Sequence, residues 1–309
     1  MTTLYLHAGR DGPAWQALFA RAAPEWQVRA WPAEVDRAQV DFIACWRPPT
    51  DFFLGFDALR AVFAFGAGIN HLLARPDLPP AVPLVRLTDA GMAAQLAEYA
   101  LYGVLHWQRD MGVYAAQQAR AEWRPRPPRL RAAVRVGVLG LGAIGAVVAS
   151  TLASLGYATS GWSRSPRALP GVRCVHGAAA LEPLLAQTDV LVNLLPSTAE
   201  TRLLLDLARL SRLPAGAFVV SAARGDQLDA GALLQLLDRG HLAGALLDVF
   251  ETEPLPGDSP LWLHPAVRIT PHVAAITLPE VSVAQIVAKA RALLAGQPVD
   301  GIVDRARSY

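Results

Sequence analysis

Gly140-Leu141-Gly142-Ala143-Ile144-Gly145 has the spacing G-x-G-x-x-G and stands between the apolar run Val136-Gly137-Val138-Leu139 and a helix-compatible stretch, Ala146 to Leu155. In a strand-turn-helix setting such glycines permit a tight turn, close backbone approach to a pyrophosphate and close helix packing, with the anion at the helix N-terminus. A glycine-rich turn without a ligand is the plainer alternative. A site for NAD normally places a carboxylate about 20 residues further on, where it holds the ribose diol. No Asp or Glu lies between Glu122 and Glu182, and the next strand runs into Ser163-Arg164-Ser165-Pro166-Arg167. Hydroxyls and the planar donor fork of Arg suit a 2′-phosphate. The pattern therefore predicts NADPH in preference to NADH, with a polar surface loop as the alternative.

Three more polar residues follow apolar runs, at the strand ends where open α/β sheets bind ligands. Arg224 comes after Phe218 to Ala223, Glu253 after Ala245 to Val249 and Phe250-Glu251-Thr252, and His272 after Val267 to Thr270 and Pro271. Singly, each has an ordinary reading: a surface residue at a helix start, a loop carboxylate, a satisfied core histidine. Together they supply what reduction of a ketone by a nicotinamide needs. Hydride arriving at a carbonyl carbon builds negative charge on oxygen, which calls for a nearby cation and a proton donor. Arg224 can be the cation, His272 the donor and Glu253 the group that orients the imidazole.

The elements that must position these residues are legible as an alternation of short strands and helices. Early strands are expected at Thr3 to His7, Gln27 to Trp31, Asp41 to Trp46, Ala61 to Phe65 and Pro83 to Leu87, with a helix at Pro13 to Ala22. A long helix from Ala93 to Arg120 follows, then a basic, proline-interrupted run, Trp123 to Arg135, which reads as a solvated linker or as a phosphate or nucleic-acid contact. Six strands then recur in a βαβ rhythm, at Arg135 to Leu139, Ala158 to Trp162, Val190 to Asn193, Phe218 to Ser221, Ala245 to Val249 and Val267 to Thr270. A helix from Pro279 to Ala295 closes the pattern. The fold class is α/β, with two Rossmann-like, doubly wound parallel-sheet domains and the active site expected in the cleft between them. Residues 1–92 and 278–309 form the substrate domain in this reading, and 93–277 the dinucleotide-binding domain.

Composition narrows the function classes. At about 150 residues per domain, 309 residues suit two domains, and 53% hydrophobic against 17% charged residues is globular rather than disordered. Lys+Arg 28 against Asp+Glu 26 leaves +2, too little for a dedicated nucleic-acid binder. Cys45 and Cys174 stand alone, so neither a disulfide framework nor a thiolate metal site is indicated. Val136 to Ser163 carries no charge over 28 residues, long enough on paper to cross a bilayer. Its six glycines divide it into strand, turn, helix and strand, so no membrane span is expected. The first residues lack a signal-peptide core, and a cytoplasmic protein is expected.

Taken in order, Phe65-Gly66-Ala67-Gly68-Ile69, Ala97-Glu98-Tyr99-Ala100, the glycine turn, Asn193-Leu194-Leu195-Pro196, Ala223-Arg224-Gly225, Leu247-Asp248-Val249-Phe250 with Glu253-Pro254-Leu255-Pro256, and Ser259-Pro260-Leu261-Trp262 on to Thr270-Pro271-His272 span nearly the whole chain. This set resembles the D-2-hydroxyacid dehydrogenase family, nearest its glyoxylate/hydroxypyruvate reductase branch. The resemblance implies that Arg224, Glu253 and His272 are catalytic, and that Asp248 holds the nicotinamide carboxamide. It also implies that Leu195, Pro196 and Ala222 meet the cofactor together with Gly140, Gly142, Ala143, Ile144, Gly145, Ser163, Arg164, Ser165 and Arg167. Ala67, Gly68 and Ile69 would give backbone N–H groups to the substrate carboxylate, as a Gly-rich nest can. Asn70 departs from the Asp frequent after that loop. Trp46, in Cys45-Trp46-Arg47-Pro48-Pro49, would wall the substrate site and favour a small 2-keto acid, unless it packs in the core. The family also implies a homodimer formed through the cofactor domain. Two alternatives remain: a formate-type dehydrogenase, which would pair the histidine with an amide where this chain has Glu253, and a nucleotide-sensing, corepressor-like binding protein on the same fold.

Overall fold

The computed structural model describes residues 1–66 and 68–305, Asn70 by its backbone alone. The chain divides into two compact units, Met1–Gly91 with the segment from Thr277 onward, and Met92–Ile276.

The first unit is built on β1 (Thr3–His7), β2 (Gln27–Ala30), β3 (Phe42–Cys45), β4 (Ala61–Ala64) and β5 (Leu84–Val85), with α1 (Gly12–Ala22) and α2 (Asn70–Leu73) between them. All neighbours are parallel, in the order β2-β1-β3-β4-β5. Every residue of Phe42-Ile43-Ala44-Cys45 and of Ala61-Val62-Phe63-Ala64 is buried, as expected of parallel strands covered on both faces.

The second unit opens with α3 (Met92–Gln108) and α4 (Met111–Ala119) where one long helix is expected. Asp110 interrupts it in the left-handed region, at φ 52°. Its carboxylate accepts from Arg126 Nε at 3.1 Å and Arg129 Nη1 at 2.8 Å, and Arg129 also lies over the Trp107 ring at 4.5 Å. Arg131 reaches the Leu155 carbonyl and Arg135 pairs with Asp189. The basic run is exposed along most of its length, and these bonds tie it to its own unit. The break has a tertiary cause, since the acid at the bend collects guanidinium groups from 16 and 19 residues away.

Then follow β6 (Arg135–Leu139), α5 (Ala143–Ser154), β7 (Ala158–Ser163), β8 (Arg173–His176), α6 (Leu181–Leu185), β9 (Val190–Asn193), α7 (Leu207–Leu210), β10 (Ala217–Ser221), α8 (Ala230–Asp238), β11 (Leu242–Leu247) and β12 (Val267–Ile269). The sheet is parallel, in the order β12-β11-β10-β9-β6-β7-β8. Its topology reverses between β6 and β9, the switch point beyond which open α/β sheets bind ligands. Seven strands stand where six are expected. β8 escapes the sequence pattern because it is a short edge strand with both ends exposed and no buried residue. The uncharged run Val136 to Ser163 is β6, α5 and β7, and no described helix is long and apolar enough to cross a membrane. α9 (Pro279–Leu294) returns to the first unit, burying Val283, Ile286, Val287 and Ala290.

Candidate active site

The glycine turn has the geometry its spacing requires. Gly140 sits at φ +95°, and a Cβ there would lie 2.7 Å from the Leu194 carbonyl oxygen. A Cβ on Gly145 would lie 1.7 Å from the Gly140 oxygen, so the first turn of α5 rests on the end of β6. Gly142, the residue before α5, would meet nothing within 4 Å. An open approach thus faces the helix start, where the N–H groups of Ala143, Ile144 and Gly145 have no intrahelical acceptors. The cradle fits a dinucleotide pyrophosphate.

At the end of β7, Ser163 is buried and its Oγ donates to the Ser165 carbonyl at 2.8 Å, shaping the loop. Arg164, Ser165 and Arg167 are exposed. The fold adds what the local sequence lacks, an acid: Glu200, from the segment after β9, has its carboxyl held below the usual range by the Thr198 hydroxyl, its own backbone N–H and the charge of Arg164. Glu200 is 36 positions along the chain from Arg164, outside the stretch from Glu122 to Glu182 that holds no acid.

His272 Nδ1 lies 2.8 Å from Glu253 Oε2, and the other Glu253 oxygen accepts from the Phe250 N–H at 3.0 Å. A carboxylate can only accept, so Nδ1 carries the proton of this bond and Nε2 faces away from Glu253. His272 is held in the left-handed region at φ 56°, uncommon for a residue with a side chain. Its N–H donates to the Asp248 carbonyl at 2.9 Å. The Asp248 carboxylate, 1% exposed, accepts from Thr270 Oγ1 at 2.6 Å and from the N–H groups of Val273 and Ala274 at 2.8 and 3.0 Å. Asp248 thus anchors the turn that presents His272, and Tyr99 on α3 braces the same Thr270 hydroxyl at 2.6 Å. Tyr99 and Thr270 stand in stretches that carry the family resemblance, but the role of their hydroxyls is not legible there, because the partners lie 171 and 22 positions along the chain.

Arg224 follows β10, and Gly225 beside it is pressed on the next segment. A Cβ on Gly225 would lie 1.8 Å from the Phe250 carbonyl carbon and 2.3 Å from the Glu251 nitrogen. The turn carrying Arg224 and the segment carrying Glu253 are therefore in backbone contact. Arg224, Glu253 and His272 all stand beyond the carboxyl ends of neighbouring strands, β10, β11 and β12. Ala222, Leu195 and Pro196 follow β10 and β9 at the same edge of the sheet.

In the first unit, Trp46 follows β3 and is 37% exposed, so it is not a core residue. Its ring covers Gly66, where a Cβ would lie 2.8 Å from Cζ3, and meets His71 edge-on at 4.3 Å. With His7, Trp15, Arg47 and Phe65 it lines a cavity of about 440 Å³. Arg75 braces the loop by donating to the Pro48 and Pro49 carbonyls at 2.8 and 2.6 Å. Arg75 is itself paired with Asp77, whose carboxyl that guanidinium holds below the usual range. Gly68 is half-buried and Ile69 is in the core, so Ile69 can meet a ligand only through its backbone. Ala67 lies outside the described residues.

Comparison with known proteins finds relatives over the whole chain. Residues 101–274 match the sequence model of the D-isomer specific 2-hydroxyacid dehydrogenase NAD-binding domain. The chain is 41% identical over 314 residues to glyoxylate/hydroxypyruvate reductase A of Salmonella newport (strain SL254), with all of both proteins covered. The crystal structure of a D-isomer specific 2-hydroxyacid dehydrogenase from Xanthobacter autotrophicus Py2, in complex with NADPH and MES, is similar with a TM-score of 0.95 and 42% identity, over 100% of this chain and 99% of that one. That of NADPH-dependent glyoxylate/hydroxypyruvate reductase from Sinorhizobium meliloti, in complex with NADP and sulfate, has a TM-score of 0.92 and 33% identity over 100% of both.

Proposed function

The chain belongs to the D-isomer specific 2-hydroxyacid dehydrogenase family, whose members are oxidoreductases, and on that premise we propose that it reduces small 2-keto acids, glyoxylate and hydroxypyruvate, to glycolate and D-glycerate with NADPH. The observation that carries this reading is the His272 imidazole fixed on Glu253 at 2.8 Å, with Nε2 turned away from the carboxylate. When bound, NADPH supplies the hydride that adds to the carbonyl carbon. Arg224 holds the carbonyl and carboxylate oxygens and offsets the charge that grows on them. His272 Nε2 delivers the proton to the carbonyl oxygen as general acid, and Glu253 keeps the ring in the orientation and tautomer that make this possible. Asp248 meets the nicotinamide amide while anchoring the His272 turn. Leu195, Pro196 and Ala222 line the cofactor beside the glycine cradle, and the N–H groups of the Ala67–Ile69 loop receive the substrate carboxylate. The test is NADPH consumption, followed by absorbance, across a panel of 2-keto acids. No consumption with any of them refutes the reading.

NADPH is expected to be used at least about tenfold more efficiently than NADH, because one charge-assisted contact to the 2′-phosphate contributes about 1.5 to 3 kcal/mol. Ser163, Arg164, Ser165 and Arg167 are the residues assigned to it. Kinetics with both cofactors check this. Equal kcat/KM values would place Arg164 and Arg167 in solvent.

Trp46 is assigned to substrate selection. Its indole is exposed, and its loop is stiffened by Pro48, Pro49 and the Arg75–Asp77 pair. Trp46→Ala is expected to raise kcat/KM for phenylpyruvate relative to glyoxylate by about tenfold, the worth of a few relieved apolar contacts. A wild-type enzyme that prefers phenylpyruvate to both glyoxylate and hydroxypyruvate would contradict the assignment. A homodimer through the cofactor domain is part of the same proposal. It is supported by the exposed apolar residues Tyr102 and Leu105 on α3, Met111 on α4 and Trp123 beyond it.

A further inference from the structure

Asn193, Ser221 and Gln227 are all fully buried polar residues, at 0% exposure. Their hydrogen bonds form a closed circuit at the carboxyl edge of the sheet. Asn193 Nδ2 donates to Gln227 Oε1 at 2.8 Å and, at 3.4 Å, to Ser221 Oγ. Asn193 Oδ1 accepts from the Leu195 N–H at 3.3 Å. Gln227 Nε2 donates to the carbonyls of both Leu195 and Pro196, each at 2.8 Å. The backbone of Gln227 is held independently, since its carbonyl accepts from the Leu205 N–H at 2.9 Å and the next residue, Leu228, bridges to Leu205. A strand-like pairing thus fixes where residue 227 lies, and its amide fixes where the Leu195–Pro196 loop lies.

That loop is clamped from the other side by the glycine turn, because Gly140 abuts the Leu194 carbonyl. Two residues before Gln227, Gly225 abuts Phe250 and Glu251. One short turn, 224–227, therefore touches the segment of Glu253 at one end and the loop beside the glycine cradle at the other. We propose that Gln227 is a positioning residue that sets the register of the Leu195–Pro196 loop against the Arg224 turn, so that cofactor binding and turnover depend on its amide donors. The proposal rests on the reading above that this loop meets NADPH. A buried carbonyl that loses its donor must find another by moving. The Leu195 carbonyl has Gln227 as its donor, whereas the Pro196 carbonyl has a second donor in Thr201 Oγ1 at 2.7 Å.

The test is Gln227→Met in the full-length chain, which keeps length and bulk but has no N–H to give. NADPH affinity is read by fluorescence titration, and kcat is read at saturating NADPH and keto acid, both on protein shown to be folded by circular dichroism. The expected result is a Kd raised at least about tenfold, as two lost donors imply, together with a lower kcat. A Kd and kcat within twofold of wild type, with only a lower Tm, would reduce Gln227 to a structural residue and overturn the proposal. Should Gln227→Met not fold, Gln227→Asn decides, because it keeps a buried amide but draws the donors one methylene back from the Leu195 and Pro196 carbonyls: a raised Kd supports the proposal and an unchanged Kd overturns it. If the wild-type chain binds NADPH but reduces no 2-keto acid, the functional reading fails while the Kd comparison still judges Gln227. If it reduces keto acids and Gln227→Met behaves as wild type, Gln227 alone is discounted. No NADPH binding by the wild type overturns both.

Discussion

Replacing His272 by Ala is expected to lower kcat by a factor on the order of 10² to 10⁴, the usual worth of a positioned general acid, while NADPH affinity stays near that of the wild type. The reason is geometric. Asp248 fixes the turn through Thr270, Val273 and Ala274, and the backbone of residue 272 donates to the Asp248 carbonyl. Removing the imidazole therefore leaves the turn in place and deletes only the proton donor. Glu253 keeps its bond to the Phe250 N–H, so its carboxylate is not released into the site. Glu253→Gln should follow in the same direction with a smaller loss, since an amide can still accept from Nδ1 but carries no charge to balance the imidazole. Single-turnover kinetics with saturating cofactor separate chemistry from product release. A His272→Ala enzyme with wild-type turnover would remove His272 from the mechanism.

Gly142→Ala and Gly145→Ala are expected to part company. At Gly145 the new methyl would sit 1.7 Å from the Gly140 oxygen, a backbone atom that cannot rotate away, so α5 must withdraw from the end of β6. Such overpacking costs about 1 to 3 kcal/mol or more, and it should lower Tm and NADPH affinity together. At Gly142 the backbone is extended and the methyl meets no protein atom within 4 Å. Any residue can adopt that conformation, so Tm should hold within a degree or two. The same open space is the approach to the helix start, and a methyl placed there obstructs a pyrophosphate. Gly142→Ala should weaken NADPH binding by about tenfold to a hundredfold, equivalent to about 1.4 to 2.8 kcal/mol. Calorimetric Tm and a cofactor titration of both variants check the contrast. Unchanged affinity in Gly142→Ala would show that the cradle does not hold a pyrophosphate.

Much of this was written along the chain. Strands such as Phe42–Cys45 and Val190–Asn193 are legible because parallel strands covered on both faces are uninterrupted apolar runs. The glycine turn is legible because most of its requirements are local, a positive φ at Gly140 and the close approach of Gly145 to the Gly140 oxygen. Arg224, Glu253 and His272 could be picked out because each follows a strand, and a parallel sheet brings all its carboxyl ends to one edge whatever the strand order.

What the tertiary structure decided was which distant polar groups meet. Asp110 breaks the long helix because Arg126 and Arg129 converge on it, and no helical periodicity records that. Glu200 reaches the field of Arg164, and Arg75 secures the Trp46 loop from 26 and 27 positions away. Asn193 and Gln227 lie 34 residues apart, yet share a buried bond because β9 and β10 are adjacent in the sheet. Apolar burial in the strands follows from residue type and period, so the sequence shows most of it. A hydrogen bond between side chains is directional and short, so only the register of neighbouring strands and the path of the turns between them decide whether it forms.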